Sequence, residues 1–312
     1  AGVDGLDINQ TAEHLRWAWP TLRQQLLQGT YRPQPVRRVG IPKSDGSERE
    51  LGIPTVTDRL IQQTLLQVLQ PRIDPTFSEH SYGFRPGRRA QDAVVAAQRY
   101  AQQGYHVVVD VDLSNFFDWV NHDILIDRLN KRVNDTGVIR LVRAYLNAGM
   151  MDGGVAIRRV QGTPQGGPLS PLLANVLLDE VDRELERRGH RFARYADDCN
   201  VYVRSHKAGE RVMGLLRRCY KKLRLTINES KSAVTSVFGR KFLGYALWQR
   251  RDGAVRRAVS VKALQAFKVK VRQLTQRNAG RSIEQVVATL RRYLLGWKAY
   301  FGLAQTPRIW RS

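Results

Sequence analysis

The sequence predicts a mixed α+β fold, and two observations support this prediction. Hydrophobic residues make up 42% of the 312 residues and charged residues 25%, a composition typical of a globular chain that can bury a core. Apolar residues recur at helical spacing in some segments and alternate with a period of two in others. Helical segments and hairpin-like segments are interspersed along the chain, so we expect helices packed on antiparallel sheets.

The first hundred residues predict three helices and one hairpin. The amphipathic stretch 10–28 predicts the first helix. Residues 36–53 alternate around Asp45-Gly46, a turn signal of a β-hairpin. Two further helices are expected over residues 58–69 and 90–102.

The remaining two thirds continue the alternation of helices and strands. Strands are expected over 106–113, 191–195, 200–204, 234–238 and 242–248, with a short hairpin at 153–160 and a four-residue turn between 195 and 200. Helices are expected over 122–133, 139–148, 171–189, 210–223, 261–276 and 283–301.

The charge balance indicates a protein that binds a polyanion. The chain has 51 Lys and Arg against 28 Asp and Glu, a net charge of +23. Residues 239–312 contain 17 Lys and Arg and two acids, whereas residues 1–238 contain 34 and 26. We therefore divide the chain into a catalytic body, 1–238, and a basic helical region, 239–312. On its last helix we expect Arg291, Arg292 and Lys298 to face phosphates.

Several classes of protein are excluded by composition. No window approaches twenty apolar residues, so a transmembrane helix is not expected. No charged segment followed by an apolar one opens the given sequence, so a signal peptide is not expected within it. The two cysteines, Cys199 and Cys219, cannot form a disulfide framework or a CxxC zinc site. A reducing compartment, the cytoplasm, is the expected location.

Two groups of aspartates are the strongest chemical signal. Asp197 and Asp198 are adjacent at a predicted hairpin tip, where they repel one another unless a cation neutralises them. Asp110 and Asp112 share one face at the end of an apolar strand. Such acids can hold two Mg²⁺ ions, about 3.5–4 Å apart, which align an attacking hydroxyl with a phosphate. An Asp-Asp pair is also a common turn sequence, so this pair alone leaves both interpretations open.

The motifs around these aspartates resemble those of a known family. They are Asp112-Leu-Ser-Asn-Phe-Phe-Asp118, Gly162-Thr-Pro-Gln-Gly-Gly-Pro-Leu-Ser-Pro171 and Tyr195-Ala-Asp-Asp198, flanked by Ile41-Pro-Lys-Ser-Asp-Gly46, Ser81-Tyr-Gly-Phe-Arg-Pro-Gly87, Phe242-Leu-Gly-Tyr245 and Gly296-Trp-Lys-Ala-Tyr-Phe301. In this order they resemble the bacterial group II intron-encoded reverse transcriptase/maturase, from about Gly2 to about Thr306.

The resemblance implies a right-hand polymerase fold. Fingers and a palm of antiparallel sheet plus helices are expected in residues 1–238, and the end of the palm and a basic helical thumb in residues 239–312. It implies an RNA-directed DNA polymerase that adds dNTPs to a primer 3′-hydroxyl on an RNA template. Two Mg²⁺ ions, replaceable by Mn²⁺, are the implied cofactor. Template, primer and a structured intron RNA are the implied partners.

The resemblance also assigns roles to individual residues. Asp112, Asp197 and Asp198 are the implied metal ligands, with Asp110 secondary. Phe117 is the implied steric barrier to a 2′-hydroxyl, and Lys231 an implied proton donor to pyrophosphate. The implied nucleotide-binding residues are Lys43, Arg49, Phe117, Gln165 and Lys231.

Two alternatives remain from the sequence. An RNA-binding maturase could use the same basic surfaces while polymerisation is secondary, although three intact acids are hard to explain by binding alone. A CRISPR-associated or antiviral reverse transcriptase would perform the same chemistry in another setting.

Overall fold

A computed structural model describes residues 1–42, 48–152, 155–157, 161–163, 166–276, 280 and 282–305. Its helices are α1 (Ile8–Gln28), α2 (Val56–Ile73), α3 (Ala90–Gln102), α4 (Phe116–Trp119), α5 (His122–Asn130), α6 (Thr136–Asn147), α7 (Ser170–Arg187), α8 (His206–Lys222), α9 (Val261–Leu274) and α10 (Ile283–Phe301). Its strands are β1 (Val36–Pro42), β2 (Glu48–Ile53), β3 (Val107–Val111), β4 (Met150–Asp152), β5 (Val155–Ile157), β6 (Arg191–Tyr195), β7 (Asp198–Val203), β8 (Ala233–Ser236), β9 (Lys241–Phe242), β10 (Tyr245–Gln249) and β11 (Val255–Val259). The predicted α+β class is confirmed.

Local sequence explains where several helices begin. Asp7 caps α1 by accepting a hydrogen bond from the Gln10 backbone N–H, and the Asp7 backbone N–H donates to the Gln10 side-chain oxygen. Ser205 caps α8, and Ser282 caps α10 with the same reciprocal arrangement. A side-chain oxygen at these positions satisfies backbone N–H groups that have no partner within the helix.

The central sheet carries the candidate site. Its strand order is β6-β7-β3-β8, and β3 pairs antiparallel with both β7 and β8. The largest apolar core joins β3 and β7 to α5, α7 and α8. Twelve of the 18 residues of α7 are buried, so this helix is covered on nearly every side. Both ends of β3 and β7 are therefore held in position by a packed interior.

Two smaller sheets and a helical hairpin complete the fold. The N-terminal sheet has the order β2-β1-β4-β5, and the C-terminal sheet has the order β11-β10-β9. The hairpin α9–α10 follows, and its helices meet through Phe267, which stacks on Tyr293 at 5.8 Å and contacts Trp297 at 4.4 Å between ring centroids. Within the described ranges, no helix has the length and apolar content needed to cross a membrane.

The structure corrects several sequence predictions. The turn between β6 and β7 has two residues rather than four, because Asp198 and Cys199 already pair with β6. The hairpin expected at 153–160 begins earlier, with Met150–Asp152 as its first strand. Strand β11 and the short helix α4 were not predicted.

The last helix, α10, leaves several of its apolar side chains at the surface. Phe301 is buried at the base of the hairpin, but Leu294 and Leu295 are 39% and 57% exposed. A two-helix hairpin has only one seam in which to bury apolar side chains, so the rest of an apolar stripe stays at the surface.

Candidate active site

The strand register brings the two groups of aspartates together. In the antiparallel pair of β3 and β7, Val111 lies opposite Cys199. One step further along each strand, the same register sets Asp112 opposite Asp198. Residues directly opposite in an antiparallel pair have Cα atoms about 4.5–5.5 Å apart, so the carboxylates share one end of the sheet.

Backbone contacts hold Asp112 where β3 ends. Its N–H donates to the Ser232 hydroxyl at 3.0 Å, and its carbonyl oxygen accepts from the Asn228 N–H at 2.8 Å. Both partners belong to the loop before β8, which runs beside β3. The main chain is thereby fixed while the Asp112 side chain stays partly exposed.

A tight turn presents Asp197. Ala196 has a φ of 57°, a left-handed conformation that is uncommon for a residue with a side chain. Gly83 packs directly against this turn, and a Cβ on Gly83 would stand 2.2 Å from the Ala196 nitrogen. Only glycine permits this close approach, so the loop at 81–87 packs directly against the turn that carries Asp197.

A buried arginine, Arg194, donates a hydrogen bond to the backbone of this turn. The Arg194 side chain is fully buried and forms a bidentate pair with Asp182, whose side chain is also fully buried. The Nη1 atom of Arg194 donates to the Ala196 carbonyl at 2.9 Å and to the Asn175 amide oxygen at 2.9 Å, and Nη2 donates to Ser81 Oγ at 2.8 Å. Desolvation opposes the charge, but Asp182 raises the pKa of Arg194 above its usual value. The guanidinium therefore stays charged and ties the turn to α7.

The clustered carboxylates repel one another. Desolvation by the surrounding protein raises the pKa of Asp198 to about 7, and the charges of Asp197, Asp112 and Asp110 add to the increase in that order. Part of the Asp198 residue remains open to solvent. Carboxylates crowded in this way are stabilised by a bound cation.

Asp110 is neutralised by the protein itself. Its Oδ2 accepts from Arg240 Nε at 2.6 Å, and Asn200 donates to Oδ1 at 2.8 Å with the amide nitrogen turned toward it. Burial raises the pKa of Asp110, although the Arg240 pair opposes that increase. Asp110 thus stands beside the cluster with its own counter-charge.

Lys231 is the nearest described cation to Asp112. Its Nζ lies 3.8 Å from Asp112 Oδ2, and its side chain is 62% exposed. Arg240 Nη2 donates to the Lys231 carbonyl at 2.8 Å and so links this loop to Asp110. The lysine can therefore reach both the carboxylates and the solvent in front of them.

The two phenylalanines that follow Asp112 have different environments. Phe116 is 2% exposed and belongs to the central core, whereas Phe117 is only partly buried and packs edge-on against it at 5.0 Å. The Phe117 carbonyl accepts from the Thr163 N–H at 2.7 Å, and Gly162 packs on the same segment. The Gly162-Thr163 segment therefore lies directly beside α4.

Three predicted nucleotide-binding side chains lie outside the part of the chain that the structure describes. Lys43 and Gln165 lie outside the described residues. Arg49 lies on β2, opposite Ile41 in the register of the N-terminal hairpin, and its side chain also lies outside the description.

The predicted phosphate-binding residues lie far along α10. Arg291, Arg292 and Lys298 are all exposed, and the structure brings none of them into contact with the aspartates. They form a separate basic surface on the C-terminal hairpin.

The donor set suits a hard divalent cation. Asp112, Asp197 and Asp198 offer carboxylate oxygens, the ligands that Mg²⁺ prefers. Among the described residues, no three His, Cys, Asp or Glu side chains stand close enough to form a ready-made metal cage. Mg²⁺ usually keeps several waters and shares its coordination with substrate phosphates, so an incomplete protein cage fits this ion.

Sequence reasoning missed the residues that support the site. Gly83, Arg194 and Arg240 act through contacts with distant parts of the chain, and Asp182 is about 70 residues from Asp112. A signal was available for two of them: Gly83 and Arg194 both lie inside or beside the motifs that carry the family resemblance. The roles of these residues could be assigned only from their tertiary contacts.

Models of known protein families match the segments of the chain that contain these motifs. A family model described as reverse transcriptase (RNA-dependent DNA polymerase) matches residues 41–247, and a model described as group II intron, maturase-specific domain matches residues 264–312. Protein YkfC of Escherichia coli K12 is 32% identical, over 80% of this chain and 76% of that protein.

The group II intron-encoded protein LtrA of Lactococcus lactis is 30% identical, over 77% of this chain. The alignment spans about half, 51%, of LtrA. Among solved structures, a telomerase from Candida albicans in complex with a telomeric RNA fragment covers 92% of this chain with a TM-score of 0.55 and 14% identity. This likeness shows a shared fold.

Proposed function

The chain belongs to the reverse transcriptase (RNA-dependent DNA polymerase) family, and we propose that it extends a primer 3′-hydroxyl with dNTPs on an RNA template. The observation that carries the proposal is the register that sets Asp112 opposite Asp198, next to the turn that presents Asp197. A binding protein has no need for such a costly concentration of negative charge.

Asp112, Asp197 and Asp198 are the residues that would hold Mg²⁺, or Mn²⁺ in its place. When bound, such ions activate the attacking hydroxyl and stabilise the charge on the departing pyrophosphate. The protein fixes the main chain that carries these carboxylates through Ser232, Asn228 and the Arg194 network. Rigid placement of this kind lowers the reorganisation that the reaction requires.

Further residues would select and position the nucleotide. Phe117 would pack beneath the sugar, which its half-buried position next to the buried Phe116 supports. Lys231 would hold or deliver a proton near the leaving pyrophosphate, a role supported by its contact with Asp112. The proposed triphosphate and base contacts are Lys43, Arg49 and Gln165, as the family resemblance implies.

A second function is favoured by the C-terminal region. We propose that α9 and α10 hold structured RNA, as expected of a maturase, since the group II intron, maturase-specific model covers residues 264–312. The exposed Arg291, Arg292 and Lys298 offer phosphate contacts for either this RNA or a template–primer duplex.

The intron setting is the one that the similarity to LtrA, a group II intron-encoded protein, favours over a CRISPR or antiviral setting. Bacterial relatives also lead us to propose the bacterial cytoplasm as the location.

Primer extension tests the proposal directly. Purified chain is incubated with poly(rA)/oligo(dT), dTTP and Mg²⁺, beside a variant carrying both Asp197→Ala and Asp198→Ala. We expect extension by the unmodified chain and none by the variant. Extension by neither protein, with RNA binding retained by both, would favour the maturase alternative.

A further inference from the structure

A second basic concavity lies at the end of the central sheet opposite the aspartates. Strand β7 begins at Asp198 and ends at Val203, so Arg204 lies about 20 Å from Asp198 along the strand. Here β6, β7 and α8 enclose an open groove of about 760 Å³. Its lining includes Tyr105, Arg188, Arg191, Arg204, Arg211 and Arg218. We call this the distal groove.

The cations of the distal groove have almost no counter-charge. No acid is among the described residues that line it, and of its five arginines only Arg188 pairs with an acid, Glu184, in the part of the chain that the structure describes. The Arg204 guanidinium lies 4.8 Å over the Tyr105 ring. Like charges gathered without partners cost free energy, and an anionic ligand removes that cost.

The spacing of the cations indicates the size of the ligand. Arg211 and Arg218 are seven residues apart on α8, which is two turns on the same face and about 10.5 Å. Gly214 lies between them and leaves that face open. Arg204 comes directly before Ser205, the N-cap of α8, so the row from Arg204 to Arg218 is roughly 20 Å long. A single phosphate or nucleotide would engage only part of such a row, whereas a polymer of phosphates can follow it.

We propose that the distal groove binds the phosphate backbone of structured RNA, as a second RNA site separate from the carboxylate cleft. The choice of RNA rests on the proposed function. A lipid surface fits less well, because none of the large apolar side chains that are exposed on the described surface lines the groove. A membrane-binding surface usually adds such side chains to its cations.

The test compares two triple variants of the full chain. The first carries Arg204→Gln, Arg211→Gln and Arg218→Gln. The matched control carries Lys131→Gln, Arg187→Gln and Arg217→Gln, three exposed cations that are each paired with an acid. Both variants lose three positive charges, so a difference between them reports position rather than net charge.

Two measurements are made on each protein: RNA binding without dNTPs and primer extension with dNTPs. Binding of a fluorescein-labelled 30-nucleotide RNA hairpin is followed by anisotropy between 50 and 200 mM salt. Primer extension on a short RNA/DNA template–primer then gives kcat and KM. In the groove variant we expect hairpin affinity to fall roughly tenfold or more and the salt slope to fall by about two to three. Extension should be unchanged, and the matched control should behave like the unmodified chain.

Three results would overturn the proposal. The first is unchanged hairpin binding by the groove variant, and the second is an equal loss in both variants. The third comes from sedimentation of the same variants with phosphatidylserine vesicles: a groove variant that loses vesicle binding while hairpin binding is unchanged would indicate a lipid surface. Absence of extension by the unmodified chain would count against the proposed polymerase and not against this site, because hairpin binding needs no dNTP.

Discussion

At the scale of single residues, the acids of the candidate site and the basic residues of the protein surface have separate locations. Asp112, Asp197 and Asp198 gather at one end of a packed sheet, while the basic residues that we propose to face phosphates lie elsewhere on the surface. We therefore expect Asp112→Ala or Asp197→Ala to reduce primer extension to below a few per cent and to leave RNA affinity nearly intact. Extension rates and filter binding on the same preparations check this. A large loss of RNA affinity would show that the acids organise the fold instead.

The pKa of Asp198 gives a second residue-scale prediction, made for protein without divalent ions. Because its pKa is about 7 in the folded state and near 4 when unfolded, ionisation of Asp198 destabilises the fold increasingly as pH rises from about 4 to 7, and fully above 7. Asp198→Asn removes that charge. After allowance for solvent screening, we expect about 1 kcal/mol of added stability at pH 8, or about 2 °C in thermal midpoint.

The gain from Asp198→Asn should shrink as pH falls toward 5, where the folded aspartic acid is already neutral. It should also shrink when Mg²⁺ is added to the unmodified protein, because the ion relieves the same repulsion. Thermal scans at pH 5 and 8, with and without 10 mM Mg²⁺, measure both effects. A gain that is equal at both pH values would contradict the assignment of the effect to charge.

Phe117 leads to a prediction about sugar selection. If its ring packs beneath the nucleotide sugar, Phe117→Ala should raise rUTP incorporation relative to dTTP by roughly 30-fold, which corresponds to about 2 kcal/mol. Phe116→Ala is the matched control, since that ring is buried in the core. Its loss should lower stability by about 3–5 kcal/mol without changing the selection. Single-nucleotide kcat/KM values for the two nucleotides decide between these outcomes, and an equal loss for both nucleotides in Phe117→Ala would indicate a packing defect.

At the scale of elements, the β6–β7 turn depends on a loop more than 100 residues earlier in the chain. Gly83→Ala would force a Cβ into the Ala196 backbone, which neither segment can avoid without moving. We expect a loss of about 1–3 kcal/mol in stability and a fall in kcat of at least tenfold, because the turn carries Asp197. Gly296→Ala, at an open position on α10, is the control and should be neutral or slightly stabilising.

Elements also show what the sequence could and could not predict. Periodicity located α3 and α10 at their observed bounds, because long amphipathic patterns are set locally. The predicted length of the β6–β7 turn was wrong, because Asp198 belongs to a strand only through its pairing with Tyr195. The motif aspartates could be named from spacing and resemblance. Arg194 could not be assigned a role, because its partners Asp182, Asn175 and Ser81 come from two other segments.

At the scale of the whole molecule, the excess of positive charge has two locations with different expected tasks. The distal groove lies at the end of the central sheet opposite the aspartates, and the other surface is the exposed side of α9 and α10. Because α10 has only one buried seam, its cations and several apolar residues remain available to a ligand. We propose that this hairpin, within the basic region 239–312, follows the template–primer duplex during polymerisation, in addition to the structured RNA proposed for it above.

That proposal predicts a steep dependence of template–primer binding on salt. Each phosphate that the protein neutralises contributes about −0.9 to the slope of log K against log salt on duplex DNA, and about −0.7 on single strands. If about six phosphates are held, affinity for a short RNA/DNA duplex should fall by roughly three orders of magnitude between 50 and 200 mM salt. Replacing Arg291, Arg292 and Lys298 with Gln should reduce the slope by about two to three. The groove variant should keep the slope of the unmodified chain on this short duplex, because its ligand is a different RNA. A slope that the α10 variant leaves unchanged would move the duplex to another face of the protein.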